Sequence, residues 1–170
     1  MLNESISRIL SISATHQLLS QSGEACVSLM EVLENVRRNA VQPFLKSDLK
    51  LNLEITGEDM TVDSEIATSV ALSVNELLQN CMKYAFRDRK QGNVSVRIEK
   101  GKVYSRLTVT DDGVGFEPEN VRTGSLGLNI VRTMVQGKLH GSLKIRSDEK
   151  GTEVSFDFIN ETADFISISK

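Results

Sequence analysis

Apolar and polar residues alternate strictly at Leu49, Leu51, Leu53 and Ile55, which predicts a half-buried strand closed by Gly57. The same period returns at Val94–Ile98, Val103–Thr110, Ser142–Ser147 and Thr152–Phe158. The last two runs are joined by Asp148-Glu-Lys-Gly151, which has the chemistry of a hairpin turn. Spacings of three and four predict helices between them. Residues 3–20 are expected to be helical, with Leu2, Ile6, Ile9, Ile12 and Leu19 forming one apolar stripe that starts just before the helix, and Ser20-Gln-Ser-Gly23 ending it. Ser28 and Glu31 stand at capping-box spacing before a helix through Leu29, Leu33, Val36 and Val41 that should stop near Pro43. Asp63 can cap a long helix from Ser64 to Phe86, and another helix runs from Leu126 to Leu139.

Helices come early and strands late, mostly in hairpins. That order predicts an α/β fold: a two-layer α/β sandwich with a mixed, mainly antiparallel sheet and helices on one face. An N-terminal helical segment precedes it. A doubly wound dinucleotide fold would alternate more regularly and open on a Gly-x-Gly-x-x-Gly turn, which this chain lacks.

The chain of 170 residues is long enough for one domain with its own core. Aromatics are 5% and Trp is absent, so that core must rest on Leu, Ile, Val and Ala. A net charge of -3 leaves no basic footprint for nucleic acid. Cys26 and Cys81 belong to no CxxC motif and sit among apolar neighbours, as buried free thiols do. No apolar run approaches the ~20 residues a membrane span requires, and no signal-peptide pattern opens the chain. These features together suggest a cytoplasmic protein without membrane contact.

On a helical wheel with Glu76 at zero, Ile66, Val70, Val74, Leu77, Leu78, Cys81 and Ala85 fall between roughly 80° and 200°. Glu76, Asn80 and Lys83 gather on the opposite side. An acid, an amide and an ammonium there suit a solvated face as well as a site. Asp111-Asp-Gly-Val-Gly115 follows the apolar strand directly. It is either a strand-ending turn or an acceptor for an exocyclic amine, with Gly113 and Gly115 admitting close backbone approach. Gly124-Ser-Leu126-Gly127-Leu128 at a helix entrance can offer free amides to an anion, or simply form a glycine turn. Gly151-Thr152 opens the last strand.

These segments, in this order, resemble the ATP-binding fold shared by gyrase, heat-shock chaperones, histidine kinases and MutL. Asn75 to Phe86 is similar to that family's N box. Asp111 to Gly115 and Gly124 to Leu128 are similar to its two glycine boxes, and Gly151-Thr152 to its terminal Gly-Thr. The resemblance implies a Bergerat-type sandwich that binds ATP and Mg2+. By that resemblance Asn80 would hold the metal, Glu76 would polarise groups near the terminal phosphate, and Lys83 would contact phosphate. Tyr84 would line the site, Asp111 would accept from the adenine amino group, and Thr152 would support that contact. Residues 116–123 would form a lid, with Arg122 as a phosphate contact.

Arg8 to Ser22 resembles the second dimerisation helix of the histidine-kinase class whose acceptor helix reads His-x-x-Lys-Asn-Asn. The resemblance implies a three-part chain: residues 1–25 a partial bundle helix, 26–160 the catalytic ATP-binding domain, and 161–170 a tail. It further implies homodimerisation through the bundle and a response regulator receiver domain as partner. No acceptor motif stands in this sequence. His16 is expected to pack or face an interface, and His140 to be structural. Two other readings keep the nucleotide: a serine kinase of the anti-sigma-factor type, and a non-catalytic ATP-switched interaction module.

Overall fold

The computed structural model describes residues 26–42, 48–116 and 126–160. The expected helix over 3–20, His16, the tail, Arg122, Gly124 and most of the expected lid lie outside them.

A short strand β1 (Cys26–Ser28) leads into α1 (Leu29–Val41). Ser28 caps the helix as its spacing predicts, its Oγ accepting from the Glu31 amide at 3.1 Å. The same hydroxyl donates to Asp59 at 2.9 Å, and Asp59 also accepts from the Met30 amide at 3.0 Å. Burial opposes the charge on Asp59, but the Met30 amide and the Ser28 hydroxyl outweigh it and hold the carboxyl below its ordinary range. The helix ends at Val41, two residues before Pro43.

Strand β2 (Lys50–Gly57) follows, then β3 (Thr61–Asp63), which pairs antiparallel with β1. Asp63 caps α2 (Ser64–Asn80), accepting from the Glu65 amide at 2.7 Å. The remaining elements are β4 (Gln91–Glu99), β5 (Tyr104–Asp111), α3 (Leu126–Gly137), β6 (Leu143–Asp148) and β7 (Gly151–Ile159).

The main sheet has the order β2-β4-β5-β7-β6, with β2 parallel to β4 and every other pairing antiparallel. The mixed, mainly antiparallel sandwich expected from the sequence is the fold observed. One face carries Val94, Val96, Ile98, Leu107, Val109, Val154, Phe156 and Phe158, all buried under the helices. Leu29, Leu33 and Val36 of α1, Ile66, Val70, Val74 and Leu77 of α2, and Val131 and Val135 of α3 close the core from the other side. Cys81 is buried, Cys26 is half-buried, and both are free thiols.

The structure corrects the wheel of α2 in one respect. Glu76 is only 4% exposed and its neighbour Asn75 only 6%, so the side opposite the sheet is not a solvated face. The helix lies between α1 and α3 as well as over the sheet, and a helix covered on several sides has little surface left for water.

Candidate functional site

Helix α2 does not end at Asn80 but widens into a π-helical turn over Cys81–Ala85. The Cys81 amide is shared between the carbonyls of Leu77 and Leu78 as the turn opens. Such widened turns are rare and gather at functional sites. Here it sends the Ala85 carbonyl out of the helix to accept from the Val114 amide at 3.0 Å. Gly113 lies so close that an added Cβ would stand 2.4 Å from the Ala85 Cβ. Arg89 adds a clasp, donating to the carbonyls of Asp112 at 2.6 Å and Gly113 at 3.4 Å. The end of α2 and the loop after β5 are thereby fastened together.

Between them opens a cavity of about 300 Å3. Asn80, Tyr84, Asp111, Gly115, Leu128 and Thr152 all border it. Val109 and Val154 from the sheet and Leu77 from α2 give it an apolar lining. Glu76, Lys83, Gly113 and Gly127 do not line it. Glu76 and Gly127 are buried and Lys83 is half-buried, while Leu126 is the first residue of α3. Tyr84 is 53% exposed at the mouth, with the Arg87 guanidinium 5.6 Å from its ring centre.

The two adjacent aspartates have different surroundings. Asp111 is 5% exposed, with Oδ1 accepting from the Gly113 amide at 2.9 Å and Oδ2 from the Cys81 thiol at 3.4 Å. Asp112 is exposed and accepts from the backbone amide and the side-chain amide of Asn93 at 2.8 and 2.7 Å. Burial opposes its charge, but the Asn93 contacts and Arg89 prevail and lower its carboxyl below the ordinary range.

Register places Asp111 of β5 opposite Thr152 of β7, and Thr152 opposite Ser147 of β6. Thr152 Oγ1 and Ser147 Oγ are 2.8 Å apart, and Ser147 also accepts from the Phe116 amide at 2.8 Å. Gly115 has φ +63, which turns the chain out of the sheet against the Asp148 carbonyl. Gly151, at φ +135, comes so near Asp111 that a Cβ would meet its carbonyl oxygen at 1.9 Å.

Ser147 and Cys81 were not singled out as site residues from the sequence. Ser147 is a polar residue inside an alternating strand, and only the register of β6 brings it beside Thr152. Cys81 falls within the apolar arc of α2 and reads as core.

Residues 65–162 match the family of histidine kinase-, DNA gyrase B- and HSP90-like ATPases. The chain belongs to this family. Among curated relatives, it is 34% identical over 156 residues to the sensor histidine kinase PdtaS of Mycobacterium tuberculosis, covering 89% of this chain and 31% of that protein. It is 38% identical over 114 residues to blue-light-activated histidine kinase 2 of Erythrobacter litoralis, covering 64% of this chain and 32% of that protein. The chain thus spans about a third of the length of these relatives. Among solved structures, the histidine kinase domain of an Erythrobacter litoralis blue-light-activated kinase superposes with a TM-score of 0.75 at 28% identity, over 90% of this chain and 75% of that one. No helix among the described residues is long and apolar enough to cross a membrane.

Proposed function

We propose that residues 26–160 form the ATP-binding catalytic domain of a sensor histidine kinase, with the base held at Asp111 and the triphosphate end at Asn80. One observation carries the reading: Asn80 at the end of a helix and Asp111 at the end of a strand border the same cavity. Asp111 presents a buried acceptor, which suits the amino group of adenine and opposes the carbonyl of guanine. Val109, Val154 and Leu77 give a flat ring an apolar bed, and the volume suits a base.

Asn80 offers one amide oxygen at the cavity edge, and the described residues contain no cluster of three or more His, Cys, Asp or Glu that could cage a cation. One protein oxygen completed by phosphates and waters is a common way to hold Mg2+. The metal would supply charge neutralisation for phosphoryl transfer. Asn80 would orient the metal–phosphate group, Lys83 would supply a positive charge one turn further on, and Glu76 would polarise groups near the terminal phosphate.

The acceptor itself is not His140. That residue borders a separate depression shared with Tyr104 and Arg106, at the start of β5, whereas Asp111 ends the strand. Seven residues of strand separate the two ends by roughly 23 Å. We assign the acceptor histidine to a bundle helix other than that of residues 1–25, and the next recipient to a response regulator receiver domain. Residues 1–25 as part of that bundle, and dimerisation through it, belong to the same proposal.

The test is calorimetry of ATP binding with Mg2+ and with chelator, followed by incubation of the full-length protein with ATP and mass spectrometry. Mg2+-dependent binding and an acid-labile phosphoramidate support the proposal. Acid-stable phosphoserine on an added sigma-factor antagonist would favour the serine-kinase reading. Bound nucleotide without any transfer would favour an ATP-switched interaction module.

A further inference from the structure

We propose that Arg87 is a further phosphate-binding residue of the nucleotide site, held in place on the ring of Tyr84. The inference rests on the nucleotide reading above and extends it to a residue that does not itself line the cavity.

Asn80 and Tyr84 stand four residues apart at the widened end of α2, and both border the cavity. They mark the end at which that reading puts the triphosphate. Tyr84 is largely exposed, so its ring belongs to the rim of the cavity and not to its apolar floor. The Arg87 guanidinium lies over that ring, 5.6 Å from its centre, within the reach of a cation–aromatic attraction. A guanidinium laid on a ring is engaged through its face, while its five N–H groups point outward in its own plane. The contact therefore fixes a positive charge at the rim and leaves its donors for an anion. A phosphate arriving there meets a planar fork that is already ordered, so less side-chain freedom is lost on binding.

The local charge supports the same assignment. Lys83, Arg87, Arg89 and Lys90 come close together with Asp88 as the one acid among them, in a chain whose net charge is -3. Their surroundings separate their tasks. Arg89 is turned to the carbonyls of Asp112 and Gly113 and fastens the loop. Lys83 is half-buried and does not line the cavity. Arg87 is exposed and seated on a side chain that does line it. A base can be buried at small cost, whereas a polyphosphate taken fully out of water cannot. A cation at the rim meets the charged end of the nucleotide where that end can stay hydrated.

The experiment measures equilibrium binding of MgATP and of adenosine to the full chain. The proteins are wild type, Arg87→Gln and Arg87→Lys, with Arg87→Gln repeated on Tyr84→Phe and Tyr84→Leu backgrounds, each checked by thermal melting. Arg87→Gln should weaken MgATP about fivefold and adenosine by less than about twofold. High salt should shrink the MgATP loss. Arg87→Lys should recover part of it, since a point charge replaces the fork. On Tyr84→Phe the ring remains, and Arg87→Gln should cost as much as it does in wild type. On Tyr84→Leu the ring is gone, and that cost should fall below about twofold. Equal losses for MgATP and adenosine, no loss for MgATP, or the same Arg87→Gln cost on both Tyr84 backgrounds would overturn the inference while ATP binding stands. A wild-type chain that binds no ATP would overturn the nucleotide reading and this inference with it.

Discussion

The Cys81 thiol donates to Oδ2 of Asp111 from the widened end of α2, while the Gly113 amide holds Oδ1 from the loop. The carboxylate is gripped by a helix on one side and by its own turn on the other. Burial, and then the nearby Asp111, push the thiol well above its ordinary value, so it stays a donor. Above the ordinary thiol range, near pH 8.5, the unfolded chain loses this proton while the folded chain keeps it. The stabilisation is full below that pH and is lost as pH rises toward the raised folded value. Urea melts at pH 7 and pH 10 should therefore show a steeper alkaline loss in wild type than in Cys81→Ala. Equal losses would count against the contact.

Asp111→Asn and Asp112→Asn should separate binding from stability. The first replaces a buried acceptor at the cavity and should weaken ATP binding more than tenfold. The second should change affinity less than twofold, because Asp112 is directed to Asn93. The folded Asp112 carboxyl is depressed, so its stabilisation is present above the unfolded value near pH 4 and lost as pH falls through the folded value. Comparing urea midpoints at pH 6 and pH 3 should show a flatter acid limb in Asp112→Asn. Equal affinity losses in the two variants would undo the division of roles.

Asn80→Ala should abolish the Mg2+ dependence of ATP binding and leave the melting temperature nearly unchanged. Asn80 sits half-buried at the cavity edge and is not among the buried residues of the core. Calorimetry with and without chelator reads this directly. A mutant with the wild-type ratio of affinities would remove Asn80 from the metal site.

Three glycines should respond differently to alanine. Gly151→Ala meets the Asp111 carbonyl at φ +135 and should cost about 3 kcal/mol, with weaker ATP binding because Asp111 must shift. Gly113→Ala presses on Ala85 and should cost about 2 kcal/mol. Gly137, at the end of α3, has open space around it, and Ala there should stabilise by about 0.5 kcal/mol. Chemical denaturation ranks the three, and a different order would contradict the packing.

The sheet was legible because Leu51, Leu53 and Ile55, and later Val94, Val96 and Ile98, alternate with a period that only a half-buried strand satisfies. Strands β1 and β3 were not anticipated, since three residues carry no measurable period and depend on a pairing across 35 positions of sequence. The parallel contact of β2 with β4 is equally non-local. Asp111 could be picked out because it ends an apolar run, and Asn80 because it shares a helix side with Glu76. The burial of Glu76 was hidden, because a single helix wheel shows one apolar arc and says nothing of a second and third helix packing around it. Ser147 was hidden for a related reason: its partner is set by register, which a one-dimensional pattern does not contain.

The widened turn of α2 gives the cavity a fixed gauge. Asn80 stands immediately before that turn and Asp111 immediately before the loop it anchors through the Ala85 carbonyl. The distance between Asn80 and Asp111 across the cavity is therefore set by hydrogen-bonded backbone. Lengthening the turn by one residue would rescale that span, even with every side chain in the cavity left intact.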